Sequence, residues 1–393
     1  METIKNRERF ESRCELTDEK LNKALKKVIR IIDNNIEFFE GRIPKSPSIN
    51  GVYETETNDD SDWTQGFWSG MLWLLYEITG DEKYKNTAES FIDSFYNRIE
   101  NRINTEHHDM GFLYSLSCVA AYKLTGNEKA KIAALKAADA LIERFQEKGQ
   151  FIQAWGPLNN SGSYRMIVDC LLNIPLLYWA SNVTGDDKYE NIAFSHFNTT
   201  AEYILREDGS TFHTFYFDME NGSPLYGKTV QGAADDSCWS RGQAWAVYGF
   251  ILTYLYRKND ISIPRFKKAA NYFLNRLPKD FISYWDLIFE DGDEERDSSA
   301  AAIAACGLLA GGNVLPSDDA DKDIYINAAK QIVNSLIDSY MPEDEKEGTG
   351  LILHGVYTKP AGLGIDECMV WGDYFFLEAL ARLILKDKFI IFW

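Results

Sequence analysis

Apolar residues recur along this chain with the period of a helix, and two kinds of helix alternate. Leu21, Leu25, Val28, Ile29, Ile32, Ile36 and Phe39 form one stripe, and Asp18 and Glu19 precede them where a helix dipole favours negative charge. The next segment, 64–78, is different. Phe67, Trp68, Met71, Leu72, Trp73, Leu74 and Leu75 leave it hardly any polar face, so burial on most sides is expected. A single stripe then returns over 82–99 through Tyr84, Ala88, Phe91, Ile92, Phe95 and Ile99. The pattern predicts buried helices over roughly 64–78, 109–124, 164–183, 241–256, 298–310 and 371–385. It predicts amphipathic ones over roughly 18–39, 82–99, 127–145, 186–204, 264–277 and 321–337.

These twelve segments make six outer–inner pairs, and their tight connectors repeat: TGDEKY at 79–84, TGNEKA at 125–130 and TGDDKY at 184–189. Each Gly suits a left-handed helix end, and each following Asp or Asn suits the cap of the next helix. Such internal repetition argues for an all-α closed ring of helical hairpins, an (α/α)6 toroid. No linker interrupts it, so residues 1–393 are read as one domain with 1–16 as an N-terminal arm. Pro175 lies within the third buried segment and predicts a kink there. A β-hairpin is expected within 205–240, because Thr211–Asp218 alternates and Asn221-Gly222 signals a turn.

The remaining connections, from outer to inner helices, are long, and in such a ring they all fall on one rim. That rim surrounds the N-termini of the inner helices and forms a cup whose floor carries positive dipole ends. The residues at these entrances are Asp62-Trp63-Thr64-Gln65, His107-His108-Asp109, Arg165 with Asp169, Asp235 through Trp245, and Asp366 through Tyr374. Carboxylates, indoles, imidazoles and an Arg converging on one cup suit a sugar, whose rings stack on aromatics and whose hydroxyls bond to Asp, Gln and His. Asp169 stands out because Ile167, Val168, Cys170, Leu171 and Leu172 flank it. Desolvation there raises a carboxyl pKa toward the range of a general acid; the plainer reading is an Asp placed at a helix start by the dipole.

Charge and cysteine use narrow the partners. A net charge of −19 disfavours nucleic acid and acidic membrane surfaces. The six cysteines include no CxxC pair, the N-terminus lacks a signal-peptide core and no run is long enough to span a membrane, so a cytoplasmic protein is expected. His107-His108 could begin a metal site, but no HExxH or CxxC accompanies it, and neither metal nor cofactor is expected. Asp235-Asp236 and Asp366-Glu367 read more simply as helix caps.

Five segments carry a resemblance: DWTQGFWSGMLWLLYEITGD, HHDMGF, RMIVDCLLNIPLLYWAS, ADDSCWSRGQAWAVYGF and DECMVWGDYFFLEAL. In this order they resemble the unsaturated glucuronyl hydrolases of glycoside hydrolase family 88, over nearly the whole chain. The resemblance implies an (α/α)6 barrel. It also implies release of a 4,5-unsaturated uronic acid from the non-reducing end of oligosaccharides left by polysaccharide lyases, through hydration of a vinyl ether. Asp169 matches the family's acid/base and Asp109 its second essential aspartate. Trp63, His213, Gln231, Arg241 and Trp245 are the implied substrate contacts, with Arg241 as counter-charge to the uronate; His108, at the same rim, is a further candidate contact. Lys359 lies where some members hold a substrate sulfate. A rhamnogalacturonyl or ulvan-type uronyl hydrolase is the neighbouring alternative, and a non-catalytic sugar-binding protein the alternative of another class. Monomer and homodimer both remain open.

Overall fold

The structure is a computed structural model and describes residues 2–11, 14–58 and 62–393. Among these residues six inner helices close into a ring: Gln65–Thr79, the run from Met110–Tyr114 to Ala120–Thr125, Pro175–Thr184, Ser240–Tyr256, Ser298–Val314 and Val370–Leu385. Each packs on the next and the sixth packs on the first. The chain is therefore an (α/α)6 barrel, as its periodicity predicts. Inner helices are buried all round; every residue from Ser240 to Thr253 is buried. Outer helices bury one stripe, such as Leu21, Leu25, Val28, Ile32 and Phe39 of Asp18–Phe39.

The repeated connectors do what their residues suggest. Gly80, Gly126 and Gly185 end inner helices with φ of 69°, 74° and 73°. Asp81, Asn127 and Asp186 then cap the following outer helices by accepting from the backbone N–H of Lys83, Ala130 and Lys188.

Three expected helices are interrupted. The 82–99 segment is two helices, Glu82–Glu89 and Ile92–Glu100. The second inner helix widens into a π-turn at Ser115–Val119, where the Ser117 hydroxyl bonds to Leu113 O instead of solvent. The third matters most: 164–174 is not α-helical. Arg165–Ile167 is a strand, Val168–Leu172 a 3-10 turn, and the α-helix begins with Pro175 at its first position. Pro175 therefore opens the helix and does not kink it, since its fixed φ fits the first turn and its missing N–H costs nothing there. The β-branched Ile167 and Val168 join a sheet: 165–167 pairs with 214–216, and Val168 N–H bonds to His213 O.

That sheet contains the expected hairpin, Thr214–Phe217 with Pro224–Lys228. Three further short antiparallel pairs, 43–44 with 55–56, 145–146 with 151–152 and 355–358 with 363–367, stiffen other long connections. The N-terminal segment is packed down, with Phe10 buried and the Arg9 guanidinium donating to Leu277 O and Pro278 O. Along the barrel axis, Phe112 touches Trp63, Trp245 and Trp393, and Trp393 lies parallel to Phe375 with centroids 5.6 Å apart. This aromatic column fills the barrel beneath the cup.

The first two inner helices meet through Gly66. A Cβ built there would lie 2.0 Å from Phe112 O and 2.7 Å from Leu113 O, both backbone atoms that cannot step aside. Gly66→Ala is expected to destabilise the fold by about 2–3 kcal/mol through overpacking, read as a lowered urea midpoint at unchanged slope.

Candidate active site

The rim encloses a cavity of about 350 Å³, a size suited to sugar rings. Its walls come from different long connections. Asp62 and Trp63 precede the first inner helix, Asp109 the second, and Trp155, Arg165, Ile167 and Asp169 the third. His213, Val230, Gln231 and Trp239 precede the fourth, which adds Arg241 and Trp245, and Tyr357 precedes the sixth. The sheet that replaces the start of the third helix is what places Arg165 and Asp169 in the wall.

Asp109 is buried and tightly held. Its Oδ2 accepts from Trp155 Nε1 at 2.8 Å and its Oδ1 from Asn173 Nδ2 at 3.3 Å. Asn173 is itself oriented, because its Oδ1 accepts the Phe112 N–H at 2.9 Å. His107 stacks on Trp155 with centroids 4.2 Å apart and planes 2° from parallel. Its Nδ1 accepts the Asp109 N–H and its Nε2 faces Asn104 O at 3.1 Å, which fixes a neutral, Nε2-protonated ring. Burial pushes His107 down to about 3, aided by Arg98.

Asp169 is the opposite case. Its Oδ1 has no hydrogen-bond partner in the protein. Burial raises its pKa well above the carboxylate range, and the nearby Asp109 charge raises it further, while Arg241 and Arg165 oppose the shift. Asp109 is also raised, by burial. Two carboxyls so placed favour a single ionisation, leaving a proton at the cavity wall. Asp62 adds a third carboxyl, raised to about 6 mainly by burial.

The donors are arranged around these acids. His213 Nδ1 accepts from the backbone N–H of Val230 and Gln231 at 3.0 and 3.3 Å, so its Nε2 carries the proton. Burial, then Arg165 and Arg241, lower its pKa to about 3. Arg241 is fully engaged at both terminal nitrogens. Nη1 donates to Asp297 Oδ2 and Val356 O at 3.3 and 2.5 Å, and Nη2 to Gln231 Oε1 and Tyr357 O at 2.6 and 2.7 Å. Gln231 thereby keeps its amide NH2 free to donate. Arg165, in contrast, donates to Thr214 Oγ1 alone, at 3.3 Å, and among the described residues forms no ion pair.

Of the residues singled out in the sequence, Asp109, Asp169, Trp63, His213, Gln231, Arg241 and Trp245 converge on this cavity. His108 and Lys359 do not line it. His108 is fully buried behind the two acids, with Nε2 3.4 Å from Asp109 Oδ1 and 3.7 Å from Asp169 Oδ1. Lys359 is held by Glu294, at 2.5 Å, and Glu295. Sequence reasoning missed Trp155, Tyr357 and Asn173. A lone Trp in the long 146–163 connection was the available signal for the first; Asn173, inside an apolar run, offered none.

The model of glycosyl hydrolase family 88 matches residues 35–380. The chain belongs to that family. It is 51% identical, over 97% of its length and 96% of the relative's, to an unsaturated chondroitin disaccharide hydrolase of Streptococcus pneumoniae. The crystal structure of unsaturated glucuronyl hydrolase from Streptococcus agalactiae superposes with a TM-score of 0.97 at 47% identity, covering 100% of this chain and 98% of that one. A mutant of the latter enzyme, in complex with dGlcA-GalNAc6S, gives a TM-score of 0.89 at 44% identity, with coverage of 100% and 98%.

The chain, a family 88 protein, presents one carboxyl with an unpartnered oxygen and a pKa raised well above the usual range, beside one restrained by two side-chain hydrogen bonds, an asymmetry suited to a single acid that must also act as base. Trp155 supports the restrained one. Trp155→Phe keeps a ring over His107 but removes the N–H that favours ionised Asp109, so the Asp109 pKa should rise. The expected result is a pH profile of kcat/KM displaced upward, with kcat reduced about tenfold; an unmoved profile would leave Trp155 with no electrostatic role.

Proposed function

We propose that Asp169 is the acid/base of a hydrolase that releases the 4,5-unsaturated uronic acid from the non-reducing end of lyase-generated glycosaminoglycan oligosaccharides. The observation that carries this reading is the cavity-facing carboxyl of Asp169, kept protonated by burial and by Asp109, with Oδ1 unpartnered. Its similarity to an unsaturated chondroitin disaccharide hydrolase, and to an enzyme crystallised with dGlcA-GalNAc6S, supports the substrate class.

The substrate ring is a vinyl ether conjugated with a carboxylate. Asp169 protonates C4, and the cation that develops at C5 is captured by water, from which Asp169 recovers its proton. The hemiketal formed at C5 opens to a ketone by breaking the bond to the ring oxygen, which leaves C1 as a hemiacetal; its collapse to an aldehyde breaks the C1–O bond and passes the hemiacetal proton to the departing sugar's oxygen. This differs from ordinary glycosidases, where two carboxyls flank the anomeric carbon. His213 Nε2–H and the Gln231 amide are donors for the ring's oxygens, and Trp63, Trp155 and Trp245 supply apolar faces. Arg241 acts on the uronate through its field and through Gln231, because protein acceptors already fill its terminal N–H groups. Arg165 is the cation with donors to spare. We further read residues 1–393 as one catalytic domain, in the cytoplasm, as monomer or homodimer; the six unpaired cysteines favour a reducing compartment.

Asp169→Asn should abolish the loss of enoate ultraviolet absorbance, by on the order of 10,000-fold in kcat, while sparing substrate binding. In the wild type, kcat/KM should hold at pH values where an ordinary carboxyl is ionised. It should then fall as pH rises through the elevated Asp169 pKa, because the ionised form cannot protonate C4. Near-normal turnover by a verified Asp169→Asn protein would sink the assignment.

The paired Lys359 bears on sulfate. An ammonium already neutralised by two glutamates contributes less than about 1 kcal/mol to a new anion. Sulfated and unsulfated unsaturated chondroitin disaccharides are therefore expected to differ by less than about tenfold in kcat/KM, and Lys359→Ala should leave that ratio unchanged.

A further inference from the structure

His108 is the one polar side chain at the acid pair whose ring nitrogens are both unused. It is fully buried, and neither Nδ1 nor Nε2 has a hydrogen-bond partner. Nε2 points between the acids, 3.4 Å from Asp109 Oδ1 and 3.7 Å from Asp169 Oδ1, and makes a hydrogen bond to neither. One ligand atom from each of these three residues lies within 4.8 Å of the others. Zinc bound at about 2.0–2.1 Å in tetrahedral geometry sets its ligand atoms about 3.3–3.4 Å apart. Two edges of this triangle already stand near that length. The fourth tetrahedral position would face the cavity, which Asp109 and Asp169 both line.

We propose that His108, Asp109 and Asp169 form an inhibitory site for a zinc-class divalent cation. An ion there occupies the place of the Asp169 proton, and its charge balances the two carboxylates once that proton has left. It is an inhibitor and not a cofactor, because it removes the acid that the proposed reaction requires. His107 takes no part: its ring is stacked on Trp155, and both its nitrogens face backbone partners. One imidazole with two carboxylates selects zinc, cobalt or copper over magnesium, which prefers an all-oxygen octahedral shell. Arg165 and Arg241 face the same cavity and repel a cation, so the site should bind more weakly than a closed four-ligand zinc centre.

The test uses the full chain after treatment with a chelator. Cobalt(II) should give a saturable visible absorption band at one ion per chain, and zinc should displace it. Zinc should inhibit competitively against an unsaturated disaccharide, excess chelator should restore the rate, and magnesium at equal concentration should have no effect. His108→Gln and, separately, Asp169→Asn should each weaken cobalt and zinc binding at least about tenfold, while His107→Gln should retain it. The two variants make the test independent of one substitution's effect on folding. The cobalt band needs no turnover, so it stands apart from the reaction assigned to Asp169. Absence of a saturable band, or equal binding by wild type and both variants, would overturn the site.

Discussion

Two carboxyl groups share a desolvated floor, and they cannot both be ionised at low cost. Much of the surrounding structure manages that constraint. Asp109 receives two hydrogen bonds, from Trp155 and Asn173, which favour its charged form. Asp169 receives none at Oδ1, and burial together with the Asp109 charge raises its pKa well above the usual carboxylate range. The asymmetry lies in the neighbours and not in the residue type. It is maintained from a distance: Phe112 N–H fixes the Asn173 amide, and His107 supports both the Trp155 ring and the Asp109 backbone.

The barrel makes such an arrangement affordable because its floor is rigid. Each inner helix is packed on both neighbours, and the aromatic column under the cup leaves no room for the acids to retreat into the barrel. Rigidity at Gly66 and at Gly111, where an added Cβ would sit 2.4 Å from the Asn173 backbone, fixes the distance between elements carrying separate halves of the site. The long connections are then free to differ, and the four small sheets among the described residues keep them ordered.

The ring was readable from residues alone because helix period and connector repeats report burial directly. Gly80, Gly126 and Gly185, with the caps that follow them, occupy the conformations their residue types suggest. The third inner helix was misread for an identifiable reason. An apolar run of Ile167, Val168, Leu171, Leu172 and Ile174 fits a buried helix as well as a strand followed by a tight turn, and the deciding partner, Thr214–Tyr216, lies almost fifty residues away in sequence. Motif identity located most of the cavity wall. It did not reveal orientation, and so placed His108 and Lys359 at the substrate when their side chains face protein groups.

Arg241 shows why orientation matters in a protein of net charge −19. A buried guanidinium without partners would be costly, and here Asp297, two backbone carbonyls and Gln231 surround it. Asp297 is committed as well, capping the fifth inner helix through the N–H groups of Ser299 and Ala300. Arg241 therefore links the fourth and fifth inner helices to the strand that carries Tyr357, and it turns the Gln231 amide toward the cavity. Its field still reaches Asp169, whose pKa it lowers against the larger effects of burial and of Asp109. The same cation thus limits how firmly Asp169 holds its proton. A backbone hydrogen bond to the same carboxyl and the Arg165 charge act in that direction too, so several fixed groups together oppose burial at Asp169.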